Sequence, residues 1–195
     1  MSQLVRSVFS FSEYVALEVG SPVKHEFLDG VVYAMAGGSP DHAGIAATAI
    51  ALLRARLTGR RRRVFSSDLR VRVVTTGLTT YPDASVVCDA LELDAEDPKG
   101  HTITNPTVLV EVLSPSTEDY DRGEKLAHYK RIASLREVML IAHDAHRVDV
   151  WRRSGKRWTP ITFADGEHVE LQSLDCALPV DELYADPLAA QSAAG

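Results

Sequence analysis

Cysteine is scarce in this sequence: Cys88 and Cys176 are the only two in 195 residues, and no C-x-x-C pair occurs. That excludes a disulfide-stapled scaffold and a cysteine-based zinc or redox centre, and it fits a reduced, cytoplasmic protein. Long apolar runs are also missing, since none approaches the roughly 18 residues that a spanning helix needs. The opening residues Met1 to Arg6 lack the charged and apolar regions of a signal peptide. Neither membrane insertion nor secretion is expected. Positive charge is in deficit, with 21 Lys and Arg against 27 Asp and Glu and a net charge of −6, so the chain does not coat nucleic acid by bulk electrostatics. Internal repeats, heptads and low-complexity stretches are absent as well. What remains is an ordinary globular balance, 45% hydrophobic and 25% charged, read as one domain over 1–195 with a core at about 10–185 and a frayed tail at 187–195.

Local patterns order the elements. Ser10 followed by Glu13 is a capping box opening a helix over about 11–19. Asp29-Gly30 joins two β-type runs into a hairpin, because that dipeptide tolerates the positive φ of a tight turn. Ser39-Pro40 starts a second helix with Ile45, Ala49, Leu52, Leu53 and Leu57 on one stripe, ending near Gly59. Strands are expected at Val64–Ser66, Leu69–Val74, Tyr81–Cys88 and Val108–Leu113, with a loop at Pro98-Lys99-Gly100. Thr117 caps a third helix running to about Ala133. The C-terminal third reads as a β meander over Glu137–Ala142, Arg147–Trp151, Trp158–Phe163 and Val169–Leu171. The class is mixed α/β.

Chemistry concentrates on Asp83, Glu111 and Lys125. Asp83 lies near the start of a strand and Glu111 inside one of the most apolar segments, where a carboxylate needs a cation or donor to meet it. Two carboxylates on neighbouring strands are hard oxygen ligands for Mg²⁺ or Mn²⁺, with a nearby ammonium to orient water or stabilise charge. The same spacing equally fits a structural ion pair of Glu111 with Lys125 or an arginine, with Asp83 bonding a turn. Glu26, just before the hairpin turn, is a further acid for that cluster. A helix from Thr117 presents Lys125 and Tyr129 on one face, where Tyr129 either bonds a carboxylate or phosphate or simply packs. His42, in the first turn of the second helix, is placed to meet an anion or is structural. His101, His143 and His146 show no metal-ligand spacing. Between residues 50 and 75 stand eight arginines against Asp68 alone, whereas 81–124 carries eleven acids against Lys99 and Arg122. This asymmetry suits an acidic cation site beside a basic phosphate-gripping ridge, or equally a solvated helix end formed by Arg60 to Arg63.

Glu26 with Asp29-Gly30, Ser39-Pro40 with His42, Pro82-Asp83, the run Glu111-Val112-Leu113-Ser114-Pro115-Ser116-Thr117, then Asp121, Lys125 and Tyr129 resemble the Uma-two family of putative restriction endonucleases, of the PD-(D/E)XK nuclease superfamily. The resemblance implies a restriction-endonuclease-like core, a mixed central sheet flanked by helices with the hairpin and meander at its ends, commonly as a homodimer. It implies Mg²⁺- or Mn²⁺-dependent hydrolysis of DNA, with Asp83 and Glu111 on the metal and Glu26 and Lys125 as further catalytic residues. One departure stands out. The superfamily's lysine two residues after the second acid is replaced by Leu113, and the resemblance moves that role to Lys125. The rival expectation is a dimeric or nucleic-acid-binding scaffold that keeps the fold without catalysis.

Overall fold

Residues 8–35 and 37–185 are described by the computed structural model, so the expected tail at 187–195 lies outside the described residues. Helix α1 (Phe11–Gly20) opens with the full capping box: the Ser10 side chain accepts from the Glu13 backbone, and the Glu13 carboxylate accepts from the Ser10 backbone. Strands β1 (His25–Leu28) and β2 (Val31–Ala34) form the hairpin, with Asp29 at φ 49° and Gly30 at φ 80° as a primed two-residue turn requires. Helix α2 (Pro40–Arg56) is capped by Ser39 and buries Ile45, Ala49 and Leu53.

The middle of the chain breaks into more strands than expected: β3 (Arg63–Ser66), β4 (Arg70–Arg72), β5 (Thr79–Thr80), β6 (Ala84–Val87), β7 (Thr102–Ile103) and β8 (Val108–Val112). The single strand expected over Tyr81–Cys88 does not form as such. Pro82 has no N–H to give a ladder, and around it the chain leaves one sheet, where β5 pairs with β4 and β1, and enters another, where β6 pairs with β3 and β8. Short β7, which pairs parallel with β4, carried no visible sequence pattern.

The third helix is a continuous segment of unusual make-up: α3 (Glu118–Tyr120), a π turn at Asp121–Lys125, and α4 (Leu126–Tyr129). Thr117 does not cap it. The Thr117 hydroxyl lies 2.9 Å from that of Ser114 instead. Nor does it continue to Ala133, because beyond Lys130 the backbone bonds tighten from four residues back to three. Strands β9 (Glu137–Ile141), β10 (Arg147–Ser154) and β11 (Arg157–Ala164) form the expected meander. The fourth strand departs from it: β12 (His168–Leu171) pairs with β13 (Cys176–Pro179) in a separate two-stranded sheet, followed by the short helix α5 (Val180–Leu183).

The sheets are therefore a six-stranded one, β11-β10-β9-β8-β6-β3, a five-stranded one, β2-β1-β5-β4-β7, and the small β12-β13 pair. The first is mixed, since β8 and β9 run parallel. Along β8 the side chains alternate. Val108, Val110 and Val112 pack with α2 and the small sheet, while Leu109 and Leu113 pack with Leu126 and Tyr129. Glu111 falls on the Leu109 and Leu113 side. Among the described residues no helix is long and apolar enough to cross a membrane.

Candidate active site

Alternation on β8 turns Glu111 toward the third helix, and that helix answers with an ammonium. Lys125 Nζ lies 3.1 Å from Glu111 Oε1, 3.1 Å from Glu26 Oε1 and 3.2 Å from Asp121 Oδ1. All four residues are buried, with Lys125 only 5% exposed and Glu111 4%. The Tyr129 hydroxyl donates to Glu111 Oε1 at 2.5 Å, one turn beyond Lys125 on the same face. The Thr80 hydroxyl donates to Glu26 Oε1. Glu26 comes from the hairpin, Glu111 from the large sheet, and Lys125 and Asp121 from the two ends of the π turn, which brings them one above the other.

Asp83 completes the group from the sheet-switch segment. In the β6–β8 register Ala84 faces Val110, so the next positions outward are Asp83 and Glu111. Its Oδ2 accepts the Val112 backbone N–H at 2.7 Å and lies 3.3 Å from His42 Nε2. Glu26, His42, Asp83, Glu111, Asp121 and Lys125 line one cleft of about 830 Å³ between the hairpin, α2 and the third helix.

Electrostatics follow from burial. Three carboxylates share one ammonium, and burial pushes the pKa of Glu111 up to about 8, with Asp83 and Asp121 adding to the effect while Lys125 and Tyr129 oppose it. Burial also acts against the charge on Lys125, but Glu111, Glu26 and Asp121 outweigh it and hold the ammonium well above its ordinary pKa. The bond to Asp83 raises the pKa of His42 against the effect of burial. Burial raises the Tyr129 hydroxyl, so it remains a donor to Glu111.

For a metal the donors are oxygen. Among the described residues no three His, Cys, Asp or Glu side chains are grouped as a ready-made cage. Glu26 Oε1 is committed to Thr80 and Lys125, and Glu111 Oε1 to Tyr129 and Lys125. Asp83 Oδ1 and Glu111 Oε2 take no hydrogen bond from the described residues and belong to side chains lining the cleft. Two carboxylates with the rest of the shell left to water or substrate is how Mg²⁺ is usually held, so the donor set fits.

Every acid and the lysine singled out in the sequence thus meets in one place, with Tyr129 bonded to Glu111 and His42 beside Asp83. The arginines do not. Among the described residues lining this cleft there is no arginine, and Lys24, Lys125 and His42 are its basic side chains. Arg60 instead donates to the carbonyls of Leu174 and Asp175, Arg70 pairs with Asp97, and Arg72 with Asp94 and Glu96. The expected basic ridge beside the acidic centre is therefore corrected. Charge summed along the chain does not report which face of the fold each side chain reaches. Sequence reasoning also passed over Thr80 and Tyr120 and named Asp121 among the residues of the family resemblance, without a place in the acidic cluster. The i, i+4 spacing of Asp121 to Lys125 was the available signal.

Comparison with known proteins gives a consistent picture. The model of the family described as "Uma2: Putative restriction endonuclease" matches residues 11–181. The chain is 34% identical over 173 residues to the protein slr1290 of Synechocystis sp., covering 88% of this chain and 89% of that one. It is 29% identical over 165 residues to sll1609 of the same organism, covering 85% and 92% respectively. In structure it resembles a crystallised "putative nuclease belonging to DUF820" from Anabaena variabilis, with a TM-score of 0.69, 18% identity, and coverage of 87% of this chain and 96% of that one.

Proposed function

The chain belongs to the Uma2 family of putative restriction endonucleases and has a restriction-endonuclease-like fold, and from that premise we propose that it is a Mg²⁺- or Mn²⁺-dependent endonuclease hydrolysing DNA phosphodiester bonds. The observation that carries this reading is the meeting of Asp83, Glu111, Glu26 and Lys125 in one cleft, with more buried carboxylate than one lysine neutralises. A purely structural pair needs one acid, and extra buried carboxylates are costly without a function.

In this reading Asp83 and Glu111 hold the divalent cation through the oxygens left open toward the cleft. When bound, the cation supplies Lewis-acid polarisation of a phosphate and activation of water. Lys125 acts as a charge stabiliser: an ammonium held protonated by three carboxylates is not a base, but it can meet the negative charge that grows on phosphate oxygens. Glu26 and Asp121 keep that ammonium charged and in place, and Tyr129 fixes the orientation of Glu111. His42 and the Val112 N–H hold Asp83 Oδ2, leaving Oδ1 without a donor among the described residues. DNA as the substrate and a homodimer as the working assembly are parts of the proposal that rest on the family resemblance.

One observation favours the scaffold reading: Lys125 pairs with Glu26, Glu111 and Asp121 and so itself balances part of the acidic charge. The test is cleavage of supercoiled plasmid and single-stranded DNA with Mg²⁺ or Mn²⁺, wild type beside an identically purified Asp83→Asn, together with calorimetric Mn²⁺ titration. Metal-dependent cutting that disappears in Asp83→Asn is expected. Wild-type protein that neither cuts nor binds Mn²⁺ would leave the scaffold.

A further inference from the structure

Four arginines, of which only Arg62 belongs to the run between residues 50 and 75, share a second cleft. It encloses about 540 Å³ and is lined by Arg62, Arg136, Arg152 and Arg153, with Ser134 and Ser173 among its polar neighbours. The arginines come from three stretches: the turn before β3, the residue before β9, and the C-terminal end of β10.

Two of these guanidinium groups are fixed by the fold. Arg152 donates from Nε to Glu137 Oε1 at 2.8 Å and from Nη2 to the Glu170 carbonyl at 2.7 Å. Arg153 donates to the carbonyls of Gly155, Ile132 and Ala133 at 3.0 to 3.1 Å. The other two are unspent. Arg62 and Arg136 make no side-chain hydrogen bond or ion pair with the described residues, and Arg62 Nη1 is buried without a partner. A buried guanidinium N–H that donates to nothing is costly, so the site favours a ligand that accepts from it.

Three acids also line the cleft, and they narrow the choice. Glu137 is consumed by the fold: besides Arg152 it accepts from the backbone N–H of Gln172 and Ser173 and from the Ser173 hydroxyl. Asp89 and Glu92 are exposed and carry no ion pair among the described residues. They repel an extended polyanion more than a compact one, which can be held by the arginines alone. Guanidinium forks match phosphate oxygens in pairs, and the volume is that of a small-molecule pocket.

We propose that this cleft binds a compact phosphate-bearing molecule of about nucleotide size, held by Arg62 and Arg136 against the fixed guanidinium groups of Arg152 and Arg153. The site is separate from the acidic cleft and does not depend on its being a nuclease centre.

The experiment is calorimetric titration of the full chain, without divalent cations, using inorganic pyrophosphate, adenosine monophosphate and a short DNA duplex as probes. Wild type is compared with Arg62→Gln, Arg136→Gln and Asp83→Asn, after circular dichroism confirms that each is folded. Binding of pyrophosphate or the mononucleotide at one per chain is expected, weakened about tenfold or more by either arginine change, in line with charge-assisted hydrogen bonds, and unaltered in Asp83→Asn. Three results would overturn it: no binding of either small probe, binding indifferent to both arginine changes, or a duplex that binds through Arg62 and Arg136 when the small probes do not. Because no cleavage is read, failure here leaves the nuclease reading untouched, and failure of that reading leaves this one standing.

Discussion

Lys125 is ringed by three carboxylates at 3.1 to 3.2 Å, and removing its ammonium would strand all of them in the interior. Lys125→Ala should therefore cost about 3–5 kcal/mol, the usual penalty for breaking a buried ion pair from one side. Urea unfolding of the two proteins measures it, and a loss below about 1 kcal/mol would mean that the cluster is solvated. Glu111 behaves differently, because burial raises its pKa from 4.5 to about 8 in the fold. A raised carboxyl contributes stability that is complete below the unfolded value and is lost as pH rises through about 8. Glu111→Gln cannot ionise, keeps Lys125 paired with Glu26 and Asp121, and should stay folded. In the presence of a chelator its stability should fall less than that of the wild type between pH 5 and pH 9. An equal fall in both proteins would reassign the titration to another group.

At the scale of elements, the hairpin and the third helix do the positioning. The hairpin carries Glu26, and its turn needs Gly30 at φ 80°, with the Gly30 carbonyl accepting from the Phe9 N–H at 2.9 Å. A Cβ at Gly30 would stand 2.0 Å from Val8 Cγ1 and 3.3 Å from the Phe9 carbonyl oxygen. Gly30→Ala should cost about 1–2 kcal/mol from the left-handed backbone alone and lower the melting temperature accordingly. An unchanged melting temperature would show that the turn can flip to another type. The third helix shows a limit of periodicity. Its i, i+4 pair Lys125 and Tyr129 was legible, because that spacing survives in α4, but the π turn at Asp121–Lys125 was not. An extra residue in one turn leaves no mark in composition, and such turns recur at functional sites.

Across the whole molecule, the two larger sheets meet where the chain passes from Thr80 through Pro82 to Ala84, and the five-stranded sheet has its own ionic anchor. Arg70, 2% exposed, donates to Asp97 at 2.8 Å, and Asp97 also accepts from the Thr102 hydroxyl and the backbone N–H groups of Lys99 and His101. Burial pushes the Asp97 pKa up, but Thr102, Arg70 and the backbone donors outweigh it and leave it below 3.8. With a depressed folded value, its contribution is present above 3.8 and is lost as pH falls through the lower one. Asp97→Asn should cost about 3–5 kcal/mol at neutral pH by leaving Arg70 buried and unpaired, and the difference from wild type should shrink in strong acid. A constant difference down to the lowest pH would remove Asp97 from the acid response.

Elements with local causes were legible in the sequence: the capping box at Ser10 and Glu13, the Asp29-Gly30 turn, the Ser39-Pro40 start of α2, and the alternation that makes Glu111 a lone acid on an apolar strand. Each depends on residues within a few positions of one another, and the physics of caps, turns and strand faces acts over that range. The ordered set from Glu26 to Tyr129 also carried the family. Tertiary structure alone decided the switch of sheets at Pro82, the departure of β12 to pair with β13, and the separation of the arginines from the acidic cleft. It alone decided, too, that Asp121 joins the expected acids Glu26 and Glu111 around Lys125. Those outcomes depend on which strands pair and which faces meet, contacts between residues tens of positions apart whose free energy is settled only when the whole core is packed.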